Sequence, residues 1–171
     1  EGVKAALIAD KNWNNGDYKS PPIAGLKSFG RVYAGWAFSQ DFFREELFKK
    51  LGFETAEELL KDWEDDHAKH WDANNLLAKL KTWQTSDISS GPTYNNDFKK
   101  ALRSITARTI LMPCNQDLYF RTKDNEIESK YIPNSVLKPI DSSFGHCAAN
   151  PGNDKNFELQ LDQNISKLLN E

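Results

Sequence analysis

Residues 107–146 read "ARTILMPCNQDLYFRTKDNEIESKYIPNSVLKPIDSSFGH". "ARTILMPC" is a short apolar, β-prone run, and "NQDLYFRTKD" after it is a polar loop. "NEIESKYIPN" has helical character and is stopped by Pro133. "SVLKPID" is a second short strand. The loop "SSFGHCAANPGND" then leads into "NFELQLDQNISKLLNE", an amphipathic closing helix. Strand, helix, strand, helix at this spacing predicts a βαβ unit of a parallel sheet. The fold class is therefore α/β. Two parallel strands need neighbours to be stable, and no further strand is legible in the chain.

Upstream the grammar differs. "EGVKAALIAD" has helical apolar spacing and breaks into "KNWNNGDYKSPPIAG", a loop rich in Asn, Gly and Pro. Trp13 and Tyr18 are expected to pin that loop to apolar neighbours. From Leu26 to about Leu51 the apolar residues, beginning Leu26, Phe29, Val32, Tyr33, Trp36 and Ala37, recur at helical intervals. Gly52 is the expected stop. Thr55 with Glu58 reads as a capping box opening "TAEELLKDWEDDHAKHW". "DANNLLAKLKTWQTSD" is a further helix with Asp72 or Asn74 as cap. Residues 1–100 thus form a helical, Trp- and Phe-rich region, and residues 101–171 carry the strands.

The 171 residues suffice for one domain or somewhat more. Mean hydropathy is −0.69, polar for a self-sufficient domain, but aromatics at 12% argue against disorder. Such a chain is expected to leave a surface for a partner or a missing piece. The net charge of −3, without a basic stripe, points away from nucleic acid and anionic membranes. No apolar run reaches membrane-spanning length, and no signal peptide is visible. Cys114 and Cys147 make no disulfide framework and are expected to be free thiols in a reducing, cytoplasmic setting. The chain begins at Glu1 and its one methionine is Met112, so a processed product or a piece of a longer chain is expected.

Ligands of open parallel sheets bind beyond the carboxyl ends of the strands. Asp117 follows the first strand and His146 the second, which places both on one sheet edge. A carboxylate that fixes an imidazole, which in turn takes a proton from a hydroxyl, is the acid–base half of a nucleophilic triad. The small residues around His146 let its loop reach across to the acid, and imidazole exchanges protons near neutral pH. No G-x-S-x-G elbow is present. Ser86, Ser89 and Ser90 lack a strand–turn–helix setting, and Ser142 and Ser143 lie too close to His146 in the chain to serve it.

The segments "DKNWNNGDY", "GLKSFGRVYAGWAFSQDFFREE", "ARTILMPCNQDLYF", "IPNSVLKPIDSSFGH" and "NPGN" resemble the C-terminal part of the homoserine O-acetyltransferase-like branch of the α/β-hydrolases. The resemblance spans nearly the whole chain. It implies a helical cap followed by the last βαβα of the hydrolase core. It places the family's acid on Asp117 and its histidine on His146. It also implies acyl-group transfer or hydrolysis through an acyl-serine. The serine and oxyanion-hole amides would lie in an N-terminal half, supplied as a separate chain or a missing segment. This chain alone is then expected to be inactive. No cofactor is implied. Acyl-CoA is the donor the acetyltransferase resemblance suggests, and a small-molecule ester is the general substrate class. In the better-known acetyltransferases an acidic residue follows the histidine. Cys147 stands there in this chain, which leaves hydrolysis and other acceptors open.

The other candidates carry less. "DDHAKH" (Asp65, Asp66, His67, His70) puts two histidines on one helix face, but without further ligands it reads as a solvated helix surface and not a metal site. Trp36, Phe42, Phe43, Trp63, Trp71 and Trp83 are expected as helix–helix core rather than pocket lining. Tyr119 and Phe120 either pack behind Asp117 or border the pocket. The alternative to an enzyme part is a non-catalytic helical binding or scaffold remnant. In that case a homodimer pairing the open strand edges is expected.

Overall fold

The computed structural model describes residues 1–150 and 152–170. Pro151 of the expected Pro-Gly turn and Glu171 at the end of the closing helix lie outside the described residues. In chain order the helices are α1 (Gly2–Ile8), α2 (Ile23–Ala37), α3 (Gln40–Arg44), α4 (Ala56–His70), α5 (Ala73–Thr85), α6 (Phe98–Arg103), α7 (Thr122–Glu128) and α8 (Lys155–Asn170). Strands β1 (Thr109–Leu111) and β2 (Ser135–Leu137) flank α7. The chain forms two compact units, Glu1–Trp36 with Phe43–Ser86, and Ala37–Phe42 with Asp87–Glu171.

The first unit is helical throughout. Leu7, Leu26, Phe29, Ala73 and Leu76 form its core, and Trp13 and Tyr18 pack against it from the loop, as expected. Two glycines on α2 set how closely its neighbours approach. A Cβ on Gly25 would lie 2.4 Å from the Leu7 carbonyl oxygen at the end of α1. A Cβ on Gly30 would lie 2.5 Å from the Trp63 carbonyl oxygen and 2.8 Å from His67 Nδ1 on α4. Thr55 caps α4, its hydroxyl accepting from the Glu58 N–H at 3.2 Å. Glu58 returns a carboxylate oxygen to the N–H of Glu54 at 2.8 Å, one residue earlier than the reciprocal bond of a capping box. Asp72 caps α5 through the Asn75 N–H at 2.9 Å.

The sequence pattern between Leu26 and Leu51 reads as continuous helix, and the structure breaks it. α2 ends at Ala37, and Ser39 opens α3 by accepting the Phe42 N–H on its hydroxyl at 3.0 Å. A serine that captures this orphan donor starts a new helix in place of extending the old one. A 3-10 turn over Leu47–Leu51 follows and closes on Gly52 at φ +91°. The aromatic expectation also needs correcting. Phe42 is fully buried, but Trp36, Trp71 and Trp83 are exposed.

In the second unit β1 and β2 pair in parallel, with Thr109 opposite Ser135 and Leu111 opposite Leu137. A separate parallel bridge joins Cys114 to Ile140. The crossover helix α7 starts and ends earlier than the sequence pattern suggests, and its last turn tightens through Tyr131 N–H to the Glu128 carbonyl at 2.9 Å. α6 has only six residues, too few to show a periodicity in the sequence. Phe38, Phe42, Ile140, Phe144 and Phe157 are buried in this unit. Phe38 stacks on Phe42 at 4.1 Å, and Phe42 meets Phe144 edge-on at 5.4 Å. Among the described residues no helix is long and apolar enough to cross a membrane.

Candidate active site

β1 and β2 run in the same direction, so the chain leaves both at one edge of the sheet. The Cys114–Ile140 bridge holds the two strand exits together. Asn115 continues the link by donating its N–H to the Ile140 carbonyl at 2.9 Å. Asp117 stands three residues past one side of this bridge and His146 six past the other. His146 Nδ1 lies 2.8 Å from Asp117 Oδ2. The structure thus brings together the two residues singled out in the sequence.

The carboxylate is held on both oxygens. Oδ1 accepts the N–H groups of Tyr119 and Phe120, each at 3.0 Å. This is the local turn an aspartate makes with its own following backbone. The Asp117 side chain keeps only 7% of its surface and that of His146 keeps 35%. A carboxylate so removed from water requires hydrogen-bond partners, and Asp117 has three. Because Oδ2 can only accept from it, Nδ1 carries a proton. Among the described residues no hydrogen bond reaches Nε2, the nitrogen able to exchange a proton with an incoming group.

Tyr119 and Phe120 do two things at once, which the sequence left undecided. Their backbones orient the acid while their rings flank the imidazole, with centroids 4.3 Å and 5.2 Å away. Phe120 also borders a cleft of about 210 Å³ whose walls include Met112, Cys114, Asp117, His146 and Phe157.

The histidine loop is built on a close approach. Gly145 sits at φ +62°, and a Cβ there would lie 2.9 Å from the Ser39 nitrogen, 3.2 Å from the Ala37 carbonyl oxygen and 3.3 Å from that of Gln116. Only glycine satisfies both the left-handed backbone and the space. Ser142 anchors the start of the loop, bonding Asp154 through its hydroxyl and accepting the Cys114 thiol on its carbonyl at 3.4 Å. Gly145 is legible in the sequence only as one of the small residues around His146, and Ser39 is not legible as a site residue at all.

Both cysteines are free and buried. Burial pushes the Cys147 thiol up to about 12 and moves Cys114 in the same direction. A thiol held protonated is a poor nucleophile. The serines of "TSDISSG" serve turns: the hydroxyl of Ser86 donates to the Thr82 carbonyl, that of Ser89 to Asp87 Oδ1 and that of Ser90 to the Asp87 carbonyl.

The "DDHAKH" run is not the wholly solvated helix surface expected, because one of its histidines turns into the core. His67 is buried, its Nδ1 lies 2.8 Å from the Trp63 carbonyl, and burial lowers its pKa. His70 pairs with Asp66 at 2.9 Å. Among the described residues no group of three or more His, Cys, Asp or Glu could hold a metal ion.

A parallel βαβ unit with an acid and an imidazole joined beyond its strand ends is what the C-terminal portion of an α/β-hydrolase fold presents. Known proteins agree. A probable esterase of Corynebacterium glutamicum is 32% identical over 98% of this chain and 48% of its own length. The ethyl acetate hydrolase of Pseudomonas veronii is 33% identical over 96% of this chain and 47% of its own. The solved structure of the acetyl esterase MekB superposes with a TM-score of 0.90 at 32% identity, covering 99% of this chain and 49% of that one. The homoserine O-acetyltransferase of Trichormus variabilis matches at 25% identity over 86% of this chain and 42% of its own. No protein-family model matches the chain. The chain matches the C-terminal portion of the α/β-hydrolase family of these esterases and homoserine O-acetyltransferases. It spans about half the length of the curated relatives it matches.

Proposed function

We propose that this chain supplies the acid and the base of a Ser-Asp-His triad that cleaves short-chain acyl esters, the serine coming from an N-terminal half of the fold. The hydrogen bond between His146 Nδ1 and Asp117 Oδ2 carries this reading. The serine hydroxyl attacks the ester carbonyl and passes its proton to His146 Nε2. The same nitrogen returns that proton to the departing alcohol, leaving an acyl-serine. Water then attacks the acyl-serine and loses its proton to Nε2, which hands that proton to the serine oxygen as the acid departs, restoring the free serine and the neutral imidazole. Throughout, Asp117 keeps the second proton on Nδ1 and balances the positive charge of the imidazolium.

Hydrolysis is favoured over transfer because two relatives above 30% identity are named a probable esterase and an ethyl acetate hydrolase, and the MekB structure an acetyl esterase. Transfer from acyl-CoA to a hydroxyl acceptor is the second reading, favoured by the matching homoserine O-acetyltransferases. The two free cysteines suit a reducing compartment such as the cytoplasm.

The test is a serine-directed phosphonate probe applied to a polypeptide that joins this chain to such an N-terminal half. Labelling of one serine, abolished by His146→Ala, is the expected result. Labelling that His146→Ala leaves unchanged, or no labelling at all, overturns the proposal.

A further inference from the structure

We infer that Ser39, at the corner between α2 and α3, is a positioning residue for His146; the inference rests on the proton-carrying role proposed above. Ser39 is 3% exposed and 107 residues from His146 in the chain. Its hydroxyl donates to the Ser143 carbonyl at 2.6 Å and accepts the Phe42 N–H at 3.0 Å. The donated bond joins the corner to the histidine loop, and the accepted one fixes the hydroxyl by capping α3 within the corner. The same corner meets the loop twice more. The Ser39 nitrogen and the Ala37 carbonyl oxygen occupy the space a Cβ on Gly145 would need, and Phe42 packs edge-on against Phe144.

Ser143, Phe144 and Gly145 are the three residues before His146, and each is held by this corner. The 3-10 turn that carries His146 begins at Gly145. Where the imidazole stands is thus decided at two points. Asp117 fixes Nδ1, and the corner fixes the backbone from which the ring projects. Loss of the first changes which nitrogen bears the proton. Loss of the second leaves the proton in place but lets Nε2 wander from the position of the attacked hydroxyl. A misplacement of about 1 Å in such a group can cost on the order of a hundredfold in rate.

The experiment compares Ser39→Ala and Ser39→Thr with the unaltered sequence, in a polypeptide joining this chain to the N-terminal half, with p-nitrophenyl acetate as substrate. Ser39→Ala is expected to lower kcat by about tenfold or more while KM changes less than about twofold. Ser39→Thr keeps the hydroxyl and is expected to restore most of the loss. The far-downfield proton signal of His146 Nδ1–H should broaden or shift in the alanine variant and return with threonine. Should Ser39→Ala not fold, Ser39→Cys, which fills the space with a weaker donor, gives the same reading.

Unchanged kcat in a folded Ser39→Ala or Ser39→Cys variant overturns the inference. So does a loss that threonine leaves unrepaired. If the unaltered enzyme turns over and His146→Ala is equally active, the triad itself fails and Ser39 falls with it, a result distinct from the first.

Discussion

Replacing Asp117 by asparagine tests the site most sharply, because the structure dictates which way the new amide turns. Oδ1 of Asp117 accepts two backbone N–H groups and Oδ2 accepts one imidazole N–H. An amide has one acceptor oxygen and one donor nitrogen. With its oxygen towards His146, its NH₂ would face the N–H groups of Tyr119 and Phe120, leaving two donors unpaired. Both backbone bonds are part-buried, and at about 0.5–1.5 kcal/mol for each bond lost that orientation lies roughly 1–3 kcal/mol above the other. The oxygen therefore stays with the backbone and the NH₂ faces Nδ1. Nδ1 must then accept, so the neutral imidazole carries its proton on Nε2 and cannot take one from the nucleophile. Asp117→Asn should lower kcat by about 10³–10⁴-fold with little change in fold. The assay is ester hydrolysis by the joined polypeptide, with circular dichroism checking that it folds. A folded Asp117→Asn enzyme within about tenfold of the parent would refute the tautomer argument and the assignment of Asp117 together.

Three further outcomes are expected. Gly30→Ala drives a methyl group into the Trp63 carbonyl and the His67 ring, both parts of α4, and should lower stability by roughly 2–3 kcal/mol in urea unfolding. His67 has its pKa lowered by burial, so its stabilising contribution is complete above the unfolded value and is lost as pH falls through the lower folded value. Melting temperature should therefore drop as the pH falls below the ordinary histidine value of about 6.5, and His67→Gln should flatten that drop, as scanning calorimetry would show. Cys147 and Cys114, both buried with raised thiol pKa values, should resist iodoacetamide at about pH 8 until denaturant is added, with peptide mass mapping as the readout.

The strand exits and their two polar residues were legible because parallel strands must send both connections to one edge. That rule and the apolar runs before them bring Asp117 and His146 to one edge, and the family resemblance is what puts the acid and the histidine of a triad on them. The helices opened by Thr55 and Asp72 were legible from their caps. What escaped was set by tertiary approach. Ser39 lies inside a run whose apolar spacing continues through it, and only the Ser143 carbonyl and the Phe42 N–H reveal what its hydroxyl does. The exposure of Trp36, Trp71 and Trp83 escaped for a related reason: helical spacing puts an aromatic on a face but does not say whether anything covers that face. The dual role of Tyr119 and Phe120 needed the turn geometry of Asp117, because the aspartate alone does not tell which way the following rings face.

Gly145 and the Ala37–Ser39 corner touch through backbone atoms, and this has a bearing on protein engineering. A histidine loop taken from a relative and grafted between Ile140 and Asp154 would arrive without the surface it was shaped against. Ser39 and Ser143 are 104 positions apart, yet a transplant that moves one stretch must move the other. For recombination between family members, crossovers that separate these two stretches should yield chimaeras that are disproportionately dead, whatever the quality of the remaining parts.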